Sequence, residues 1–102
     1  DGADIYLEVP VTITDAILGC KKEIPTLYGN IILEIKPGTQ NYTKLKIKGK
    51  GIKLPNKIGK GDMYAVINII TPTKLDRKQK ALLQDLAKTD LEDASEFKNF
   101  KK

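Results

Sequence analysis

The chain has 102 residues, one domain's worth, with 40% apolar and 30% charged residues and a net charge of +5. A domain this short buries only about 60–65% of its unfolded surface, so its core is modest. The absence of histidine excludes a Ser–His–Asp triad and a His-based metal site, and the single cysteine excludes an internal disulfide and a Cys-rich zinc site. No apolar run reaches membrane-spanning length. The chain starts at Asp1-Gly2 and reads as a piece of something larger, so the missing signal peptide says little about compartment. One reduced thiol favours a reducing, cytoplasmic setting.

The elements follow in chain order. Ile5-Tyr6-Leu7-Glu8-Val9 alternates as a half-buried strand, and Pro10 marks an edge or a bend before Val11-Thr12-Ile13 continues it. Thr14 reads as the N-cap of a short helical turn over Asp15-Ala16-Ile17-Leu18, which Gly19 ends. Lys21 to Leu27 and Ile31 to Lys36 read as the next two strands, joined by a tight connection at Tyr28-Gly29-Asn30, where Gly and Asn tolerate positive φ. Pro37-Gly38-Thr39-Gln40 is a turn. Lys44 to Lys48 alternates strictly, with Leu45 and Ile47 inward. Gly49-Lys50-Gly51 ends that strand, and Ile52 to Lys60 is a loop punctuated by Pro55-Asn56 and Gly59. Met63 to Ile70, apolar on both faces apart from Asn68, is a central strand. The pattern then turns helical over Arg77–Lys88. Asp76 and Gln79 form a capping box, Gln79, Leu82 and Leu86 share one face, and Leu83 lies beside them. The fold class is therefore mostly β: a small β-sandwich-like domain with a short helical turn and a C-terminal α-helix. Residues 1–74 form the β domain, 75–88 its terminal helix, and 89–102 a polar tail in which Phe97 and Phe100 are the large apolar groups beyond Leu91.

Charge is uneven. Residues 1–35 carry −4, residues 36–80 carry +10 and residues 81–102 carry −1. The basic middle is either a surface for nucleic acid or an acidic partner, or, as we prefer, a solvated strand face and a lysine-rich loop that discourages sheet aggregation. Lys44, Lys46, Lys48, Lys50 and Lys53 line a strand and the following loop, but Tyr42 is the only aromatic near them in sequence. Single-strand binders interleave several aromatics, so a basic β-domain binding single-stranded nucleic acid is the alternative rather than the leading reading.

Gly49-Lys50-Gly51 and Gly59-Lys60-Gly61 resemble fragments of a phosphate loop. Gly61 and Asp62 stand where the motif needs Ser or Thr, and a strand follows where it needs a helix, so neither is a nucleotide site. Glu8, Glu23, Glu34 and Asp62 are carboxylates with no evident reason to converge in a cleft. Cys20, without a His partner, reads as a small hydrophobe. The chain is expected not to be an enzyme and to need no cofactor and no metal.

The order of turns and short motifs resembles a known family. Asp1 to Pro10, Ala16-Ile17-Leu18-Gly19, Ile24-Pro25-Thr26-Leu27-Tyr28-Gly29, Pro37-Gly38-Thr39-Gln40, Lys48-Gly49-Lys50-Gly51, Gly61-Asp62-Met63-Tyr64 and Leu75 to Lys80 with Leu82-Leu83 are together similar to the second C-terminal β-domain of the DnaJ (J-domain protein) co-chaperones. The likeness covers residues 1–88. Tyr28 departs from it, since the family usually has Asp before that glycine. The His-Pro-Asp tripeptide of the J domain and the cysteine-rich zinc repeats are absent from this stretch. The resemblance implies a domain that holds unfolded or non-native polypeptides and carries a dimerisation helix, with a DnaK-type chaperone as partner of the full-length protein. Leu7, Val9 and Ile24, in the first two strands, are the candidate client-binding residues, by strand addition at an edge, although all three also suit an ordinary core. Leu82, Leu83 and Leu86 are the candidate dimerisation residues.

Overall fold

A computed structural model describes residues 2–54, 59–89 and 91. The chain divides into two compact units, residues 1–71 and 72–102.

The first unit contains β1 (Ile5–Thr12), α1 (Ile13–Leu18), β2 (Cys20–Ile24), β3 (Ile31–Ile35), β4 (Lys44–Ile47) and β5 (Met63–Ile70). β5 is the centre of a three-stranded sheet in the order β1-β5-β4, parallel to β1 and antiparallel to β4. β2 and β3 form a separate antiparallel pair. Parallel neighbours cannot be joined by a hairpin. Here the crossover from β1 to β5 is long enough to hold α1, the β2–β3 pair and β4. One face of each sheet contributes to a single core of Val9, Val11, Ala16, Ile24, Leu33, Ile35, Met63, Ala65 and Ile67. The strict period of two puts odd-numbered residues of β1 and β5 inside and leaves the even ones outside.

β1 runs through Pro10 without a break, as the edge reading of that proline expects. The elements differ from the sequence reading elsewhere. α1 starts one residue after Thr12, not Thr14: Asp15 N–H donates to Thr12 Oγ1 at 3.1 Å, and Thr14 Oγ1 lies 3.2 Å from the same oxygen. β2 ends at Ile24 rather than Leu27. Pro25 has no N–H to pair, and Thr26 and Gly29 then exchange two backbone hydrogen bonds of 3.0 and 3.3 Å. In that turn the positive φ falls on Gly29 alone, so Tyr28 sits in ordinary backbone.

The Pro37-Gly38 turn docks on α1. Gly38 and Thr39 N–H both donate to Ala16 O, at 2.9 and 3.1 Å, and so satisfy carbonyls that the end of a short helix leaves open.

The second unit contains α2 (Arg77–Ala87). Its capping box is complete: Gln79 N–H donates to Asp76 Oδ1 at 2.7 Å, and Asp76 N–H donates to Gln79 Oε1 at 2.9 Å. None of its residues is buried. The polar tail, residues 89–102, lies outside the described residues apart from Thr89 and Leu91.

Candidate functional site

The candidate residues fall into different settings. Val9 and Ile24 are core residues, only 2% and 3% exposed, while Leu7 is half-buried on the edge strand. The unpaired edge of β1 therefore offers backbone groups and the rim of Leu7, with Val9 and Ile24 shaping the strand from beneath. α1, which follows β1 directly, buries only Ala16 and leaves Ile13, Ile17 and Leu18 exposed. Sequence reasoning did not single out these three. The available signal was their number: a six-residue helix has room to bury one narrow stripe, and it carries four apolar residues.

Leu82, Leu83 and Leu86 are 59%, 40% and 42% exposed on α2. Their spacing puts Leu82 and Leu86 on one face, with Leu83 at its border.

The outer face of the three-stranded sheet is polar and aromatic. Register sets Tyr6, Tyr64 and Lys46 in one row, and Glu8, Val66 and Lys44 in the next. The Tyr6 and Tyr64 rings stack with centroids 5.1 Å apart and planes at 18°. Lys44 Nζ lies 5.6 Å from the Tyr6 centroid. A second cluster forms around Tyr28. Its hydroxyl donates to Gly51 O at 2.6 Å, and Lys60 and Lys50 lie 3.8 and 5.7 Å from its ring centroid. Thus Tyr28, out of the family's pattern, ties the hairpin tip to the glycine-lysine segment.

Asp62 links these regions. Gly49 N–H donates to its Oδ1 at 2.9 Å, Lys46 Nζ approaches Oδ2 at 3.4 Å, and its own N–H donates to Asp4 Oδ1 at 2.8 Å. The Gly49 hydrogen bond, with smaller help from Lys46 and Lys48, holds the Asp62 carboxyl below its ordinary pKa against partial burial. A depressed pKa contributes stability above the unfolded value that is lost as pH falls through the folded one. Urea midpoints are therefore expected to decline on the acid side of about pH 3.9, the ordinary aspartate value, and the Asp62→Asn variant to decline less. Parallel acid limbs in parent and variant would assign the loss to other carboxylates.

Glu8, Glu23 and Glu34 are exposed on three different strands, and Glu23 accepts a hydrogen bond from Asn30 Nδ2 at 3.1 Å. Among the described residues no group of three or more His, Cys, Asp or Glu is placed to hold a metal ion. Among the described residues no helix is long and apolar enough to cross a membrane.

The fold is thus a mixed three-stranded sheet and an antiparallel strand pair sharing one core, with glycine turns at these positions. Residues 1–72 match the DnaJ C terminal domain, and the chain belongs to that family. It is 47% identical over 85 residues to a protein of Geobacillus sp. (strain WCH70) named Chaperone protein DnaJ, covering 83% of this chain and 22% of that one. Proteins of the same name from Bacillus velezensis and Acholeplasma laidlawii are 41% and 46% identical, over 100% and 87% of this chain and 28% and 24% of theirs. The chain thus spans about a quarter of the length of the curated relatives it matches.

Proposed function

We propose that this chain is a non-catalytic module of a cytoplasmic DnaJ-type co-chaperone, holding non-native polypeptide on its β domain (residues 1–74) and joining two copies through its terminal helix (75–88). The observation that carries the reading is the pair of features left open among the described residues in a member of the DnaJ C terminal domain family: the edge of β1 with Leu7 and the exposed isoleucines of α1, and the exposed leucine stripe of α2. An extended client adds beside β1 through main-chain hydrogen bonds, which are indifferent to sequence, while Leu7, Ile13 and Ile17 favour apolar side chains. Val9 and Ile24 hold the strand that the client reads. Two sites in one dimer raise avidity without new contacts. Action on a DnaK-type chaperone belongs to the longer protein, since this stretch contains no His-Pro-Asp tripeptide.

The test is residue-resolved NMR. Titration of the isotope-labelled chain with an unfolded apolar peptide at moderate salt is expected to shift amides of β1 and α1, Leu7 foremost, and to leave β4 unmoved. An unperturbed spectrum would reduce the chain to a dimer scaffold.

A further inference from the structure

We propose that the outer face of the β1-β5-β4 sheet binds single-stranded nucleic acid, with the Tyr6–Tyr64 ring pair stacking a base and Lys44, Lys48 and Lys50 neutralising the phosphates. Sequence reasoning kept this partner as the alternative, because only Tyr42 stands near the lysines in sequence. The parallel register of β1 and β5 supplies them: Tyr6 and Tyr64 are 58 positions apart in sequence, yet they stack and lie in the same row as Lys46.

Two features favour a nucleic acid over an acidic peptide, which would use the lysines equally well. The two rings stack on each other with planes 18° apart and Tyr6 is 57% exposed, so the part of the Tyr6 ring that Tyr64 leaves uncovered is open to a base. Every base has a π-face to stack on such a surface, whereas a carboxylate side chain gains nothing from it. Lys44 and Lys46 follow β4 at two-residue spacing, about 7 Å apart, and Lys48 and Lys50 continue into the turn beyond it, with Lys44 beside Tyr6 and Lys50 beside Tyr28. Two acidic groups temper its charge: Asp62 pairs with Lys46, and Glu8 stands in the row of Lys44. Lys46 is therefore left out of the phosphate set. The part of that segment within the same unit, residues 36–71, carries eight Lys against one Asp and keeps an excess of +7.

The site lies on the solvent face of the sheet, the client edge on its rim, so the two activities are separable. The experiment is fluorescence anisotropy of labelled 12-nucleotide oligo-U and oligo-dT against the 102-residue chain, with polyglutamate as competitor. Binding through three phosphates is expected to weaken roughly 20-fold between 50 and 200 mM salt, from a slope of about −0.7 per neutralised phosphate. Lys44→Gln/Lys48→Gln is expected to weaken binding and flatten that slope. Tyr6→Ala is expected to weaken binding at least about fivefold with the slope unchanged, because stacking is not a salt effect. Tyr6→Phe, which keeps the ring, is expected to bind like the parent and guards against a folding artefact. Tighter oligo-U than oligo-dT binding would identify RNA as the source, and equal binding a general single-strand site. No binding at 50 mM salt, full affinity in Tyr6→Ala, or equal displacement by polyglutamate would overturn the proposal.

Discussion

Gly61→Ala is expected to lower the unfolding temperature by roughly 4–24 °C. Overpacking of this kind costs typically about 1–3 kcal/mol, and a domain of this size loses about 4–8 °C per kcal/mol. A methyl at Gly61 would fall on the carbonyl and Cβ of Ala3, and one at Gly51 would meet the Ala3 carbonyl and the backbone of Gly61 and Asp62. Three chain segments cross there, held by Ile52 N–H to Ala3 O at 2.7 Å, Gly51 N–H to Gly61 O at 2.9 Å and Gly61 N–H to Ile52 O at 3.0 Å. Most of the obstructing atoms are backbone, so no side-chain rotation relieves the overlap. Gly59→Ala is the control. Its φ of 90° strains any side chain, but a Cβ there meets nothing within 4 Å, so it is expected to cost only about 1–2 kcal/mol. Equal unfolding temperatures for the two variants would mean that the crossing yields. The crossing matters for function because Ile5 N–H, donating to Asp62 O at 2.9 Å, starts the β1–β5 ladder immediately beside it. Loosening that point frees the register that aligns the β1 edge and stacks Tyr6 on Tyr64.

Local chemistry was legible in the sequence where it repeats at short range. Strict alternation over Lys44 to Lys48 and the apolar run from Met63 to Ile70 marked β4 and β5, and Asp76 with Gln79 marked the start of α2. Errors arose where two local signals compete. Leu27 extends an apolar pattern, but Pro25 and the Thr26 side chain, which accepts from Tyr28 N–H at 3.0 Å, stop the strand first. Thr12 and Thr14 both suit an N-cap, and only the placement of Asp15 N–H decides between them. The aromatic-lysine face was not legible, because it depends on a parallel pairing between residues nearly sixty positions apart. No local period reports such a pairing. Nor was the burial of Val9 and Ile24 separable from an edge role, since an inward strand position serves both until the facing sheet is known.

Leu82→Asp and Leu86→Asp are each expected to leave the chain monomeric at concentrations where the parent dimerises. An 11-residue helix is marginal by itself, and α2 has a cap worth about 1 kcal/mol but no buried residue. Each leucine, already partly covered, has about 1 kcal/mol of transfer energy left to gain. A dimer built on this stripe is therefore concentration-dependent, and one carboxylate per copy on the seam is enough to dissolve it. Sedimentation equilibrium is expected to show the parent approaching twice 11.3 kDa as concentration rises and both variants staying at 11.3 kDa. Helix ellipticity of the parent is expected to rise with the same concentration dependence, because partner burial supplies what the isolated helix lacks. Gln84→Asp, which adds the same charge on the opposite face, is expected to dimerise like the parent. If Leu82→Asp and Leu86→Asp fold and keep the parent's mass, α2 is not the interface, and the stripe must instead be read as surface for another partner.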